Sequence, residues 1–199
     1  MSTIWSVVKD ADFLGLHEVT EECSAFLLSK LNITNCFSVL GSSQRFNIAK
    51  LSSQVEDFIL SNLCQMEGTE ALLSLKSSDL RRWLEDDRLA VKKEEDVFKI
   101  VMSWIQHNKE EDWEEVVGTI RFGLINKDFF DQNIASHPLM TSFTVVKEAS
   151  EYMSMMEHPS KTKVEEARAK YQDLTPSFAL PRLPTQILVH LNLVPMLYN

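Results

Sequence analysis

The sequence predicts an all-α protein of stacked antiparallel helix pairs, closed by an irregular C-terminal tail. Three observations carry that expectation. Apolar residues recur at one-sided helical spacing through most of the 199 residues. The connections between these stripes are short, as in helix pairs that bury one face against a neighbour. Turn residues are scarce and segregated: all five glycines (Gly15, Gly41, Gly68, Gly118, Gly123) precede residue 124, and all six prolines follow residue 137. A many-stranded sandwich or barrel needs turn residues about every 8–12 positions, so this chain lacks the punctuation for one. The glycines are also too dispersed for a phosphate-cradling loop.

The elements follow in order. Val19, Cys23, Phe26, Leu27 and Leu31 form one apolar stripe on a helix over residues 16–30. Residues 32–35 break it, and Cys36, Val39 and Leu40 begin a short second helix. Leu51, Val55, Phe58, Ile59 and Leu63 repeat the pattern, with Ser53 and Glu56 matching a capping box inside the stripe, where its match is coincidental. A short helix is expected near residues 70–74. Ser77 is expected to cap the next, which carries Leu80, Trp83 and Leu84. Glu94, Glu95 and Asp96 suit a helix N-terminus, where the dipole favours acids, and Val97, Phe98, Val101, Trp104 and Ile105 are the buried face behind them. Trp113, Val116, Val117 and Ile120 make a further stripe. Asn126 caps a short helix with Phe130 and Ile134 that stops at His137-Pro138. Val146, Ala149, Met153 and Met156 mark the last long stripe, and Thr162 with Glu165 opens a polar helix ending near Tyr171. After Pro176 only Arg182 is charged; Ile187, Leu188 and Val189 could form one strand but have no partner strand, so this tail is expected to be disordered.

Length suggests one domain plus a tail. Twenty basic against 29 acidic residues give a net charge of −9, which argues against nucleic-acid binding. Between residues 85 and 115 stand 11 acidic and 5 basic residues, read first as a solvated helical face and second as a steering surface for a basic partner. The three cysteines, Cys23, Cys36 and Cys64, have no C-x-x-C spacing; they read as small core hydrophobes rather than metal ligands or disulfides. No segment reaches 18 apolar residues and the Ile4–Val8 run is too short for a signal peptide, so a cytoplasmic, reducing location is expected without membrane insertion. The sequon at Asn32-Ile33-Thr34 then has no expected use.

No catalytic constellation emerges. The five histidines make no i, i+4 pair and no H-E-x-x-H; His17 and Cys23, six positions apart, point to different helix faces. Glu85-Asp86-Asp87 lacks calcium-loop spacing and reads as a charged turn between helices. Trp83, Trp104 and Trp113 sit at core spacing, as do Met153 and Met156. No enzyme activity, cofactor or metal is expected.

Several strings nevertheless occur in a telling order: Ala11-Asp12-Phe13-Leu14-Gly15-Leu16, then Val19, Cys23, Phe26-Leu27, Asn35-Cys36, Leu72-Leu73-Ser74-Leu75, Leu80, Asp86-Asp87-Arg88-Leu89, Glu95, Val97-Phe98, Trp104, Ile120-Arg121-Phe122-Gly123-Leu124-Ile125 and Pro138-Leu139-Met140. Over residues 9–157 the set resembles the BACK region of the BTB–BACK–Kelch (Kelch-like) family. The resemblance implies residues 1–31 as the terminal part of a BTB domain, with its final helix over residues 8–31. It implies residues 32–157 as BACK, and 158–199 as a linker helix and truncated Kelch lead-in. In that family BTB dimerises and binds cullin-3, the first BACK helices (the 3-box) add a groove for the cullin's N-terminal extension, and the propeller holds substrates for ubiquitination. Here the 3-box corresponds to residues 35–63, with Phe37, Leu40 and Phe46 as exposed groove candidates. The link between residues 107 and 120 is about a turn shorter than usual. The main BTB surfaces are missing, so dimerisation is not expected, and no glycine follows Gly123 to build a first Kelch blade, so the sequence reads as a partial gene model, short isoform or truncated family member. Two function classes stay open. One is a non-catalytic adaptor component of a cullin-3 RING ubiquitin ligase. The other is a helical scaffold or interaction module without ligase activity, for a cytoskeletal partner or in competition with full-length Kelch-like relatives.

Overall fold

The computed structural model describes residues 2–109 and 113–156. Every regular element among them is helical, so the all-α expectation holds. The expected polar helix at 162–171, the strand at 187–189 and the tail lie outside the described residues. The chain divides into two compact units, Met1–Ala71 and Leu72–Asn199, taken here one at a time.

The first unit carries α1 (Ser2–Phe13), α2 (His17–Ser29), α3 (Cys36–Arg45), α4 (Ala49–Asn62) and a 3₁₀ turn, Leu63–Met66. α1 packs on α2, and α3 on α4. One continuous helix over residues 8–31 is therefore corrected to two helices. Gly15 makes the break: its φ of +67° is open to glycine at little cost. Its N–H bonds to Asp12 O at 3.0 Å while Leu16 N–H reaches Ala11 O at 2.8 Å, the paired closure of a Schellman cap. The same device ends α3. Asn47, with φ +57°, takes the left-handed position, Asn47 N–H meets Gln44 O at 3.0 Å, and Ile48 N–H meets Ser43 O at 2.9 Å. Asparagine tolerates that conformation better than other residues with a side chain.

Burial in α2 departs from the stripe. Of its expected apolar face only Leu27 is buried; Val19 and Phe26 are exposed and Cys23 is intermediate. By contrast α3 and α4 seal a core with Cys36, Val39, Leu40, Leu51, Val55, Ile59 and Leu60, joined by Leu63 and Met66. The coincidental reading of Ser53 and Glu56 agrees with the structure, because α4 runs through both. Short α5 (Glu70–Leu73) lies where the chain passes into the second unit.

The second unit carries α6 (Ser77–Glu85), α7 (Glu94–His107), α8 (Trp113–Val117), α9 (Lys127–Phe129) and α10 (Thr144–Met156), with short 3₁₀ and π turns between. α7 is its apolar centre: Val97, Phe98, Ile100, Val101, Met102, Trp104 and Ile105 are all buried. Trp104 also donates its indole N–H to Leu75 O at 2.9 Å, satisfying the polar end of a fully buried ring. Ser77 turns out to be the first residue of α6; Lys76 occupies the cap position with no side-chain bond to the helix. Asn126 caps α9 as expected, accepting from the N–H groups of Asp128 and Phe129 at 2.9 and 3.3 Å. Beyond α9 the helix widens into a π turn, Phe130–Ala135, which buries Phe130 edge-on to Phe122 and ends before His137. Val146, Ala149 and Met153 are buried on α10.

Candidate functional site

The expected 3-box, residues 35–63, corresponds to α3, α4 and the turn after them. Its start is set by two asparagines. Asn32 Oδ1 accepts from the N–H groups of Thr34 and Asn35 at 2.9 and 3.1 Å, and Asn35 Oδ1 accepts from Asn32 N–H at 2.9 Å. These reciprocal bonds close the turn over residues 32–35 that leads into α3 and satisfy backbone donors of that turn; Asn35, at the cap position, makes no side-chain bond to the helix itself. The turn also engages the sequon side chains, because Thr34 Oγ1 lies 2.6 Å from Asn32 Oδ1.

From this turn α3 runs with Cys36, Val39, Leu40 and Ser43 inward. Ser43 Oγ bonds to Leu40 O and to Ser52 Oγ, each at 2.8 Å, which ties α3 to α4 through a satisfied buried hydroxyl. Cys36 Sγ lies 4.0 Å from Met66 Sδ, and burial pushes its thiol pKa up. Cys36 is therefore packed as a core hydrophobe. On the outer side Lys50 of α4 bonds to Glu21 of α2 at 2.8 Å, and this pairing holds the Glu21 carboxyl below its ordinary range.

The three groove candidates have separate fates. Leu40 is only 5% exposed, so the expectation of an exposed position is corrected: it belongs to the core. Phe37 and Phe46 are half-buried. They stand nine positions apart, which at about 100° per residue puts them on opposite sides of α3, flanking its buried face. The structure therefore does not gather the three on one side of α3. Phe46 is held from two directions: Trp5 of α1 stacks on it with centroids 5.8 Å apart and planes at 24°, and the Arg45 guanidinium lies 4.8 Å from the ring centre. The Trp5–Phe46 pair spans 41 positions of sequence, which no local pattern reveals.

Within the acidic stretch at 85–115 the described acids are largely engaged within the fold; residues 110–112 lie outside the described residues. Arg81 bridges Glu85 at 2.7 Å and Glu115 at 3.4 Å; Asp86 binds Arg88 at 2.8 Å; Asp96 binds Lys99 at 3.0 Å. Two acids at the α7 N-terminus hold backbone across the second unit. Glu94, 4% exposed, accepts from Arg121 N–H at 2.9 Å, and Glu95 accepts from Asn126 N–H at 3.0 Å. The Arg121 guanidinium, itself buried, pairs with Asp87. Much of the stretch is thus structural, which weakens the steering-surface reading. Among the described residues no group of three or more His, Cys, Asp or Glu could hold a metal ion, and no helix is long and apolar enough to cross a membrane.

This network joins two of the recognised strings in space. Asp86-Asp87-Arg88-Leu89 and Ile120-Arg121-Phe122-Gly123-Leu124-Ile125 are joined by the Asp87–Arg121 pair, and Leu89, Ile120, Phe122 and Ile125 are buried. A family model described as "BACK: BTB And C-terminal Kelch" matches residues 36–135, which contain both strings and the α3–α4 pair. The chain belongs to the BACK family. Among curated proteins it is similar to Kelch-like protein 21 of Bos taurus, at 28% identity over 137 residues, 67% of this chain and 23% of the relative. Human Kelch-like protein 6 is 28% identical over 153 residues, 73% of this chain and 25% of the relative. Human Kelch-like protein 31 is 24% identical over 140 residues, covering 69% and 22%. The chain thus spans about a quarter of the length of the curated relatives it matches.

Proposed function

We propose that this BACK chain is a non-catalytic adaptor component, or fragment, of a cullin-3 RING ubiquitin ligase, contacting the cullin N-terminal region through residues 35–63. The observation that carries the reading is the family match across α3 and α4, a helix pair whose core is closed from within while Phe37 and Phe46 stay partly accessible on its flanks. Specific interfaces usually bury above ~1,000 Å², so two flanking rings alone give a weak contact. Titrating the cullin-3 N-terminal region with this chain in a calorimeter tests the proposal: saturable heat in the micromolar range is expected. Phe37→Asp should abolish that heat while circular dichroism shows the chain still folded, with a lower melting temperature because the ring is half-buried. No heat at high micromolar concentration removes the adaptor reading. Leu40→Asp is unsuitable for this purpose, because a charge at a core position unfolds the pair.

The second reading, an interaction module without ligase activity, draws on a different surface. Phe13, Leu14, Leu16 and Phe26 are exposed around α1 and α2, with Phe13 87% exposed. Isolated exposed apolar residues are ordinary; three within four positions, Phe13, Leu14 and Leu16, are the feature that supports a contact surface here. A pull-down in which Phe13→Ser releases a protein partner in the absence of cullin would favour this reading.

A further inference from the structure

We propose that Trp5 and Arg45 are positioning residues for the α3–α4 surface: together they hold Phe46, and through it the left-handed turn at Asn47. The inference rests on the adaptor reading for its partner but on separate geometry for its mechanism. The turn between α3 and α4 is closed by a residue with a side chain in a conformation better suited to glycine, Asn47 at φ +57°. Gly15, in the equivalent place between α1 and α2, meets no such restriction. A strained position persists when its surroundings over-determine it. Here the surroundings are visible. Ile48, just past the turn, is buried. Phe46, just before it, carries Trp5 in an offset stack at 5.8 Å and Arg45 at 4.8 Å. Trp5 is itself 9% exposed, so the indole is largely enclosed and offers Phe46 a confined surface. Arg45 lies in the last turn of α3, where its charge also suits the carbonyl end of the helix dipole.

The consequence is that one of the two accessible rings of the proposed interface is set by a helix outside residues 35–63. Anything that shifts α1 moves Phe46 and loosens the α3–α4 corner without touching Phe37. The surface that reads the partner therefore extends in control, though not in contact, to the first helix of the chain.

The test compares Trp5→Ala, Trp5→Phe and Arg45→Ala in the full chain. Hydrogen exchange is read at the Asn47 and Ile48 amides, which close the turn, with the Trp104 amide in the second unit as a control. Trp5→Ala is expected to speed exchange at the two turn amides about 5–10-fold, the effect of losing one aromatic pair, and to leave the Trp104 amide unchanged. Trp5→Phe, which keeps a stacking ring, should restore rates to within about 2-fold, and Arg45→Ala should raise them about 2-fold. Unchanged turn exchange in Trp5→Ala overturns the proposal, as does Trp5→Phe behaving like Trp5→Ala. If Trp5→Ala loses α1 altogether, Arg45→Ala decides, since Arg45 is exposed and its removal leaves the core intact. In the binding arm, the cullin-3 N-terminal region should bind Trp5→Ala about 5-fold more weakly than the unaltered chain and Trp5→Phe equally well. Equal binding of all three overturns the positioning role. Absence of binding by the unaltered chain itself removes the adaptor reading instead, and the exchange comparison still decides whether Trp5 sets the turn.

Discussion

α2 and α7 are amphipathic helices of almost the same length, 13 and 14 residues, and the sequence marks both by the same spacing of apolar residues. Their environments differ sharply. α7 buries seven apolar side chains, whereas α2 buries Leu27 alone and leaves Val19 and Phe26 to solvent. Periodicity reveals that a helix has an apolar face; it does not reveal what covers the face. In α7 the cover comes from residues brought back by the fold: α8 packs on it, Phe129 of α9 stands edge-on to Phe98 at 5.7 Å, and Leu75 O receives the Trp104 indole N–H. The outward side of α2 has no comparable cover within its unit, so its stripe serves packing on one edge and display on the other.

The largest expected effect tests the buried side of this comparison. Trp104→Ala removes a fully buried ring and its bond to Leu75 O, and should cost about 3–5 kcal/mol, enough to unfold a marginal domain. Urea unfolding followed by circular dichroism measures it. A cost below 1 kcal/mol would mean that α7 is not the centre of its unit.

Next in size is the ion pair that joins the two recognised strings. Asp87 is 62% exposed while its partner Arg121 is 2% exposed, so Asp87→Asn withdraws a carboxylate from a buried cation. A loss of about 1–3 kcal/mol is expected, the range for depriving a buried group of its hydrogen-bond partner. The same urea series applies, and an unchanged midpoint would show that Arg121 is held by the remainder of its surroundings.

Caps give a smaller and more discriminating contrast. Asn126→Ala should cost about 1 kcal/mol, because Asn126 Oδ1 serves two helix N–H groups. Ser53→Ala, at the other cap-like string, should leave stability within about 0.5 kcal/mol, because Ser53 lies inside α4 and is exposed.

Asp86 adds a pH dependence of definite sign. The hydrogen bond from Arg88 holds its carboxyl below the usual range, with partial burial opposing. Since the folded value is depressed, its contribution is present above the unfolded carboxylate value, about 3.9, and is lost as pH falls through the lower folded value. Asp86→Asn should therefore be less stable than the unaltered chain at pH 7, and the gap in urea midpoints should narrow on acidification below pH ~4.

The helical class, the order of elements and most of the second-unit core were legible, because Val97, Phe98, Val101, Trp104 and Ile105 combine correct spacing with large apolar side chains. Asn126 was legible because a cap acts over two or three residues. What escaped reading depends on distance in sequence. The Gly15 break was half legible: the apolar stripe starts a helix at residue 16, close to α2 as observed, whereas the family resemblance runs one helix over residues 8–31 through the glycine. Leu40 shares the i, i+3, i+4 stripe of Cys36 and Val39, which marks it as core and Phe37 as off the stripe; its place among the exposed groove candidates goes against that spacing. The pairs Trp5–Phe46 and Asp87–Arg121 are separated by 41 and 34 positions, beyond any local rule. The proposed partner surface sits among these harder cases, since exposure rather than residue type defines it.

The smallest expected effect returns to α2 and is the sharpest test of its difference from α7. Phe26 is 53% exposed, and its recorded ring partner is the exposed Lys30, 5.9 Å from the ring centre. An exposed cation–π contact is worth about 0.5 kcal/mol, and serine loses little helix propensity relative to phenylalanine. Phe26→Ser should therefore shift the melting temperature by only about 2 °C, even though the position lies on the same apolar stripe that predicted α2. If the substitution instead costs several kcal/mol, Phe26 is covered in solution and α2 is packed like α7. If the shift is no larger than expected, Phe26 faces solvent and α2 is held by the side that carries Leu27.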